Sequence, residues 1–152
     1  AQHGSSAGDR APERSGLELR APVLEVFASL QGEGLYVGEA QTFLRLSGCA
    51  LRCRYCDTPQ SWAVPGARAA GRGPGWLTPL EAAVEVARAE ARADEDHGPQ
   101  RTVSITGGEP LEWVPFLRAL RPLLGSRRLH LETSGLFPQA LAEALPAVDH
   151  IS

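Results

Sequence analysis

Hydrophobic and polar positions alternate along two segments in the first third of the chain, and an alternation with a period of two is typical of β-strands. In residues 23–30, every second residue from Leu24 onward is apolar. Residues 41–47 add the apolar side chains of Phe43, Leu44 and Leu46. The pattern therefore predicts one strand in each segment.

Residues 63–76, by contrast, contain six glycines and prolines, which are too many for the interior of a helix or strand and predict a loop. A helix is predicted directly after this loop, because Thr78 can serve as the N-cap, Pro79 fits the first helical position and Glu81 completes a capping box. Along this helix, the apolar positions that share one face, and that we expect to be buried, are Leu80, Val84, Ala87 and Ala91.

The second half of the chain alternates strand and helix patterns after a polar link at residues 94–100. Strands are predicted at 102–106, 129–133 and 148–152, with helices between them at 112–124 and 138–145. Pro122 strains the first of these helices, because a proline inside a helix removes a backbone hydrogen bond. Repeated β–α units of this length predict an α/β fold with a parallel sheet and right-handed crossovers.

The chain has 152 residues and 43% hydrophobic content, which suits one domain with one core. Residues 1–22 show no apolar periodicity, so we expect a disordered N-terminal tail followed by a single domain at residues 23–152. Because the chain contains no initiator methionine, we expect a fragment, and because residues 148–152 resemble a strand cut short, we expect the domain to be truncated at its C-terminus.

Fifteen arginines, with no lysine, stand against eighteen acidic residues, which gives a net charge of −3. Because the two signs are interleaved along the chain, this balance argues against a general nucleic-acid-binding protein. No apolar run approaches the roughly 18 residues that a membrane span requires, and residues 1–22 contain no signal-peptide core. We therefore expect a soluble, cytoplasmic protein with no nucleic-acid or membrane partner.

All three cysteines of the chain fall within eight residues, directly after the second predicted strand: Cys49, Cys53 and Cys56. A disulfide framework would need an even number of cysteines, and zinc sites generally use paired knuckles with four ligands. Two other interpretations stay open, namely three buried structural thiols, or a zinc site with a fourth ligand from His97, His130 or His150. Three thiolates can also bind three irons of a [4Fe–4S] cluster and leave the fourth iron open to a small molecule.

The spacing C-x₃-C-x-aromatic-C, in which Tyr55 is the aromatic residue, resembles the cluster motif of the radical S-adenosylmethionine (radical SAM) enzymes. A second motif, Thr-Gly-Gly-Glu-Pro at residues 106–110, is similar to the glycine–glycine–glutamate element of that family, which receives the methionine amino group of the cofactor. Glycines allow close approach of the backbone to a ligand, and a carboxylate pairs with an ammonium group. Both motifs and the segment 133–135 follow predicted strands, so a parallel sheet would bring them to one edge. The resemblance implies a partial TIM-like (β/α) barrel of the radical SAM type, with a [4Fe–4S] cluster and S-adenosylmethionine.

Residues 24–152 resemble, more narrowly, the 7-carboxy-7-deazaguanine synthase family. The resemblance is carried by the sequences Ser-Leu-Gln-Gly-Glu-Gly at 29–34, Phe-Leu-Arg-Leu-Ser-Gly-Cys at 43–49, Cys-Asp-Thr at 56–58 and Leu-Glu-Thr-Ser-Gly at 131–135, while Ala50 replaces the asparagine common in the family. It implies a carbon–nitrogen lyase of queuosine or 7-deazapurine biosynthesis, which converts 6-carboxy-5,6,7,8-tetrahydropterin to 7-carboxy-7-deazaguanine by ring contraction with loss of ammonia. The substrate-binding residues that it implies are Leu30, Gln31, Gly32, Glu33, Arg45 and Thr106.

These implied roles agree with the chemistry of the side chains, since an arginine suits a substrate carboxylate and a glutamate suits the amino-pyrimidinone edge of a pterin. A glycine-rich turn at residues 31–34 and a solvated surface charge at Arg45 remain as alternatives. The resemblance also implies Mg²⁺ at Thr58, although a threonine before Pro59 equally fits a simple turn. The residues that it implies around the cofactor are Tyr55, Cys56, Asp57, Gly107, Gly108, Glu109 and Ser134.

The same resemblance implies a small-molecule pterin substrate, an electron donor such as flavodoxin or ferredoxin, and a homodimer. Two other functions stay open. Activases that generate a glycyl radical on a partner protein share a similar cysteine spacing, although Glu33 and Arg45 argue against that activity. The other alternative is an inactive iron–sulfur or zinc-binding module left by truncation of a longer gene.

Overall fold

The computed structural model describes residues 19–64, 74–97 and 100–152, and in these residues the chain forms one six-stranded sheet. The strands in chain order are β1 (Ala21–Leu30), β2 (Ala40–Leu46), β3 (Gly75–Leu77), β4 (Thr102–Gly107), β5 (Arg128–Leu131) and β6 (His150–Ile151). The α-helices are α1 (Pro79–His97), α2 (Val114–Leu120) and α3 (Pro138–Ala144). Short 3₁₀ turns cover Gly34–Tyr36, Pro59–Ser61, Pro110–Trp113, Arg121–Leu124 and Leu145–Ala147.

The order of the strands across the sheet is β3-β1-β2-β4-β5-β6. Strands β2, β4, β5 and β6 run parallel, as the repeated β–α units predict. Strand β1 pairs antiparallel with both β2 and β3, so one end of the sheet is antiparallel. The sheet is therefore open and mixed, and its parallel part has the arrangement expected of a partial (β/α) barrel.

Strand β3 corrects the prediction of a loop over the whole of residues 63–76. Its three residues pair with Ala21, Pro22 and Val23 of β1, more than 50 positions earlier in the chain. A strand of three residues leaves almost no periodic pattern, and its pairing partner is distant in sequence, so local rules miss it. Residues 65–73 of the predicted loop lie outside the described residues.

The boundaries of other elements also differ from the prediction. Strand β1 begins at Ala21, within the predicted tail, of which residues 1–18 lie outside the described residues. Helix α1 continues to His97, into the predicted link, of which residues 98 and 99 lie outside the described residues. The helix predicted at 112–124 is divided into a 3₁₀ turn, helix α2 and a second 3₁₀ turn that contains Pro122, whose missing N–H cannot continue an α-helical ladder.

The hydrophobic core lies between the three helices and one face of the sheet. Alternate residues of the parallel strands point into it, and Leu44, Ile105 and Leu131 are fully buried there. Helix α2 contributes Phe116 and Leu117 to the same cluster. The other set of alternate residues, which are largely polar, lies on the opposite face of the sheet. The candidate site is on this face.

The buried face of α1 is the opposite of the predicted one. Leu80 is 63% exposed and Val84 is 41% exposed, and Ala87 and Ala91 also face solvent. The buried positions have the same spacing but are shifted by two residues: Ala82, Val86, Ala89 and Ala93. Two residues correspond to about 200° around a helix, so the shift exchanges one side for the other. Small alanines on the buried side allow the helix to lie close to the sheet.

The start of α1 confirms the predicted capping box. The backbone N–H of Glu81 donates to the Thr78 hydroxyl at 3.2 Å, and the backbone N–H of Thr78 donates to the Glu81 carboxylate at 2.7 Å. Arg20 adds an ion pair to the same carboxylate at 3.0 Å. No helix among the described residues is long and apolar enough to cross a membrane.

Candidate active site

The loops that follow β2, β4 and β5 meet at one edge of the sheet, because these strands are parallel and their carboxyl ends coincide. Backbone hydrogen bonds join the three loops directly. The N–H of Gly108 donates to the carbonyl of Leu46 at 3.0 Å, and the N–H of Glu109 donates to the carbonyl of Gly48 at 2.8 Å. The N–H of Glu132 donates to the carbonyl of Ile105 at 2.9 Å. The cysteine segment, the Gly-Gly-Glu segment and the segment after β5 thus form one continuous rim.

Gly107 and Gly108 are required at this rim by contacts within the chain. A Cβ at Gly108 would lie 2.1 Å from the carbonyl oxygen of Gly48, and a Cβ at Gly107 would lie 2.1 Å from the carbonyl oxygen of Leu46. The backbone of Gly107 also has a φ of +131°, which side chains rarely tolerate. The sequence interpretation assigned these glycines to close approach of a ligand. The structure adds that they let the Gly-Gly-Glu loop pack against the start of the cysteine loop.

The cysteine loop is held in place by side chains that the sequence analysis did not single out. The Arg52 guanidinium donates to the carbonyl oxygens of Cys49 and Leu51 and lies over the Trp62 ring, 5.0 Å from its centroid. The Glu112 carboxylate accepts from the backbone N–H of Ala50 at 2.7 Å. Only the folded arrangement could reveal Glu112, because it lies 62 residues away along the chain from Ala50.

All three cysteines are free and partly buried, and they line one cavity of about 390 Å³, here called the cysteine cavity. Burial raises the pKa of the Cys49 thiol, and the nearby carboxylates of Glu112 and Glu109 raise it further. The other residues that line the cysteine cavity are Glu33, Leu51, Tyr55, Asp57, Thr58, Trp62, Gly107, Gly108, Glu109, Glu132, Thr133 and Ser134.

The cysteines fit the ligand set of a [4Fe–4S] cluster, since three unpaired thiols of one loop face one cavity. In residues 19–64, 74–93 and 100–152, no group of three or more histidine, cysteine, aspartate or glutamate side chains is arranged to hold a single metal ion. His130 and His150 pack against each other with ring centroids 4.8 Å apart and do not join the thiols in such a group, which disfavours the zinc interpretation for these two histidines.

Glu109 is a buried carboxylate, 1% exposed, with hydrogen-bond donors on both oxygens. One oxygen accepts from the backbone N–H of Leu111 and from the Thr133 hydroxyl, and the other accepts from the backbone N–H and the hydroxyl of Ser134. Four donors match the about four lone-pair sites of a carboxylate. Glu109 therefore ties the loop after β4 to the loop after β5, and a pairing with a cofactor ammonium group stays a prediction.

A second cavity of about 350 Å³ adjoins the first and is here called the arginine cavity. Arg45 projects from β2, and its Nε donates to the Glu25 carboxylate at 2.7 Å. Phe27 and Phe43 stack with ring centroids 5.2 Å apart on the same wall. The other residues that line this cavity are Ser29, Leu30, Gln31, Gly32, Glu33, Asp57, Thr58, Thr106, Gly107 and Glu132. Five of its residues also line the cysteine cavity, namely Glu33, Asp57, Thr58, Gly107 and Glu132.

Gln31 is buried within a network of hydrogen bonds. Its Nε2 donates to Glu132 at 2.7 Å and to Gln41 at 3.3 Å, while its Oε1 accepts from the backbone N–H of Glu33. Ser104 also donates to Glu132, at 2.9 Å. Glu132 stands in the wall between the two cavities. Sequence reasoning gave this residue no role, because its partner Gln31 lies 101 positions away in the chain.

Thr58 begins the 3₁₀ turn Pro59–Ser61, and its carbonyl accepts from the backbone N–H and the hydroxyl of Ser61. The turn interpretation of this residue is therefore confirmed. The Thr58 hydroxyl donates to the Asp57 carboxylate at 3.1 Å, and both residues line both cavities. This pair of oxygen ligands is compatible with Mg²⁺, which stays a prediction.

Comparison with known proteins agrees with this geometry. The family model of the Radical SAM superfamily matches residues 44–152. The 7-carboxy-7-deazaguanine synthase of Methanothermobacter thermautotrophicus is 38% identical over 134 residues, which cover 88% of this chain and 49% of that protein. The protein of the same name from Geobacter sulfurreducens is 36% identical over 144 residues, which cover 86% and 55%. The crystal structure of QueE from Escherichia coli matches with a TM-score of 0.57 and 27% identity, over 79% of this chain and 55% of that one.

The chain belongs to the radical SAM superfamily. Membership confirms the expected class and implies a [4Fe–4S] cluster and S-adenosylmethionine. Its relatives carry the particular name 7-carboxy-7-deazaguanine synthase, and the likeness to QueE confirms the expected fold. The chain spans about half the length of the curated relatives it matches.

Proposed function

We propose that this protein converts 6-carboxy-5,6,7,8-tetrahydropterin to 7-carboxy-7-deazaguanine with loss of ammonia, as a step of queuosine or 7-deazapurine biosynthesis. One observation carries the proposal: a cavity with three free thiols and a cavity with an arginine share a wall of five residues. Two reactants held in adjoining cavities can react in an effectively unimolecular step, because they are already close together and oriented. The names of the curated relatives support the same product.

Most of the residues expected at the cofactor and at the substrate separate between the two cavities, whereas Asp57, Gly107 and Glu33 line both. Tyr55, Cys56, Asp57, Gly107, Gly108, Glu109 and Ser134 all line the cysteine cavity. Leu30, Gln31, Gly32, Glu33, Arg45 and Thr106 all line the arginine cavity. This separation supports the assignment of one cavity to S-adenosylmethionine and the other to the pterin.

In the proposed complex, Arg45 binds the carboxylate at C6 of the pterin, because a guanidinium presents paired donors to a planar carboxylate. Glu33 accepts hydrogen bonds from the amino-pyrimidinone edge, since it reaches both cavities from the segment after β1. The stacked pair Phe27 and Phe43 provides an apolar surface for the ring system. Together these contacts hold C6 towards the wall that the cavities share.

Cys49, Cys53 and Cys56 would hold the [4Fe–4S] cluster, and Gly107 and Gly108 would lie against the cofactor. When bound, the reduced cluster would supply one electron and S-adenosylmethionine would accept it and supply the radical that starts the reaction. Thr58 is proposed to hold Mg²⁺ together with substrate oxygens. An electron donor such as flavodoxin or ferredoxin, a homodimer and a cytoplasmic location complete the proposal.

The decisive experiment reconstitutes the full chain anaerobically with iron and sulfide and then adds a one-electron reductant such as dithionite, S-adenosylmethionine and 6-carboxy-5,6,7,8-tetrahydropterin. We expect about four irons per chain, cleavage of the cofactor and formation of the deazaguanine product. Replacement of any one of Cys49, Cys53 or Cys56 by alanine should abolish the cluster and the cleavage. Isolation of the protein with stoichiometric zinc and no iron would contradict the proposal.

Magnesium is tested separately, since Thr58→Ala should raise the Mg²⁺ concentration needed for activity, whereas Thr58→Ser retains the hydroxyl and should behave like the unaltered protein. An unchanged Mg²⁺ requirement in Thr58→Ala would remove this residue from the metal site.

A further inference from the structure

Arg45 is the one cation among the described residues that line the arginine cavity, whereas Glu33, Asp57 and Glu132 bring three carboxylates to the same walls. Binding of an anionic substrate group in this cavity therefore depends on the Arg45 guanidinium and on the orientation of that guanidinium. The Arg45 side chain is only 18% exposed, so its orientation is set by its neighbours more than by water.

Glu25 is the neighbour that fixes the Nε side of this guanidinium. Its carboxylate accepts from Nε of Arg45 at 2.7 Å, a short charge-assisted contact. A guanidinium carries one N–H on Nε and four on its two Nη atoms. Because Glu25 occupies the Nε side, the four remaining N–H groups, which meet no acceptor within the part of the chain that the structure describes, are left for a ligand.

The register of the β1–β2 pair is built to make this contact. Glu25 lies opposite Arg45, and a bulge between Val23 and Glu25 shifts the pairing by one residue. Without that shift, the register of Val23 with Leu46 would place Leu24 opposite Arg45. Bulges commonly re-aim a side chain next to a functional site. The extra residue thus exchanges an apolar neighbour of Arg45 for a carboxylate.

Phe27, two residues further along β1, packs the face of its ring against the guanidinium. The Arg45 Cζ lies 5.8 Å from the centroid of the Phe27 ring, and that ring stacks on Phe43. A planar cation that is held at its Nε by a carboxylate and lies over an aromatic ring keeps few alternative rotamers. Preorganisation of this kind lowers the entropy lost when the ligand binds.

We propose that Glu25 is a positioning residue that aims Arg45 at the carboxylate of the substrate. This role rests on the proposed function, because it presupposes an anionic pterin in the arginine cavity. Glu25 itself does not line that cavity and acts only through Arg45.

The test uses 6-carboxypterin, the oxidised analogue of the proposed substrate, and measures by titration calorimetry the affinity of the full chain for it and for pterin without the carboxylate. The ratio of the two affinities reports the carboxylate contact and is insensitive to a general loss of folded protein. In Glu25→Ala, this ratio should fall about tenfold, the effect of one hydrogen bond to a charged group. Glu25→Gln keeps an acceptor oxygen at the same reach and should stay within about threefold of the unaltered protein.

Glu85→Ala serves as the matched control, because it removes a glutamate that pairs with Arg88 on α1 and lines neither cavity. If Glu25→Ala fails to fold, Glu25→Asp replaces it, since it keeps the charge but withdraws the carboxylate from Nε by one methylene. The aspartate variant should also lose the preference for 6-carboxypterin.

The outcomes separate the two proposals. If the unaltered protein shows no preference for 6-carboxypterin, the proposed function and the role of Glu25 both fall. If the preference exists and persists in Glu25→Ala, only the role of Glu25 is overturned. Tighter binding of 6-carboxypterin in Glu25→Ala would also overturn it, since that result means that Glu25 merely neutralises Arg45.

Discussion

Glu109 and Ser134 lie 25 residues apart in the chain, yet one carboxylate oxygen of Glu109 accepts both the backbone N–H of Ser134 at 3.0 Å and its hydroxyl at 2.6 Å. This contact holds the loops after β4 and β5 together before any cofactor is present. The carboxylate of the Gly-Gly-Glu motif is therefore part of the scaffold of the rim.

Glu109→Gln should destabilise the protein even without cluster or cofactor. The glutamine amide places an NH₂ group where two donors already point, so buried donors lose their acceptor. We expect the free energy of unfolding to fall by about 1–3 kcal/mol, measured by urea denaturation of the metal-free chain. Glu143→Gln, at an exposed position of α3, is the control. Equal stability of Glu109→Gln and the unaltered protein would refute the scaffold role.

Gly108→Ala should also destabilise the metal-free protein. Its Cβ would meet backbone atoms of the cysteine loop, which cannot rotate away as the end of a flexible side chain can. We expect the free energy of unfolding to fall by about 1–3 kcal/mol, the usual range for overpacking. Gly32→Ala adds the same methyl group where no atom lies within 4 Å, and it should change stability little. A similar effect of the two substitutions would argue against the close packing of the loops.

Arg45→Ala should weaken binding of the carboxypterin without affecting cluster assembly. Loss of a guanidinium partner in a shielded pocket typically costs on the order of 2–5 kcal/mol of binding. Substrate affinity and iron content are measured on the same reconstituted preparation. Arg118→Ala, which removes an exposed arginine from α2, should leave both quantities unchanged. Equal pterin affinity in Arg45→Ala and the unaltered protein would exclude Arg45 from substrate binding.

The stability of the fold should fall as the pH falls below about 6.5, the ordinary pKa of histidine. Burial lowers the pKa of His130 in the folded state, so the unfolded chain binds a proton more readily and acid favours unfolding. His130→Gln should flatten this part of the pH profile, while the two proteins should show the same pH dependence above about pH 7.5. Urea denaturation at several pH values between 5 and 8 provides the measurement, and parallel profiles throughout would contradict the role of His130.

Local sequence signals predicted the elements that are determined by residues close together in the chain. The capping box of α1 depends on two residues three positions apart, and the chain forms it as predicted. The parallel strands with their crossover helices were predictable for the same reason. These elements bring the cysteines and the Gly-Gly-Glu motif to one edge, so the general position of the candidate site followed from the motifs.

Features that depend on distant partners were not predictable. Two stripes of the same helical spacing run along α1, one through Leu80 and Val84 and one through Ala82 and Val86. Hydrophobicity alone favours the stripe with leucine, whereas close packing against the sheet favours the one with more alanine. The donors to Glu109 and the place of Glu132 between the two cavities likewise required the folded arrangement.

The hydrogen bond between Gln31 and Glu132 joins residues that are 101 positions apart. Contacts of such high sequence separation close large loops of chain, and their entropy cost must be met before they contribute stability. The wall between the cavities is therefore complete only when β5 has joined the sheet. A ribosome-bound nascent chain that has emerged only as far as β4 would possess the cysteines and the glycines but no divided pair of cavities.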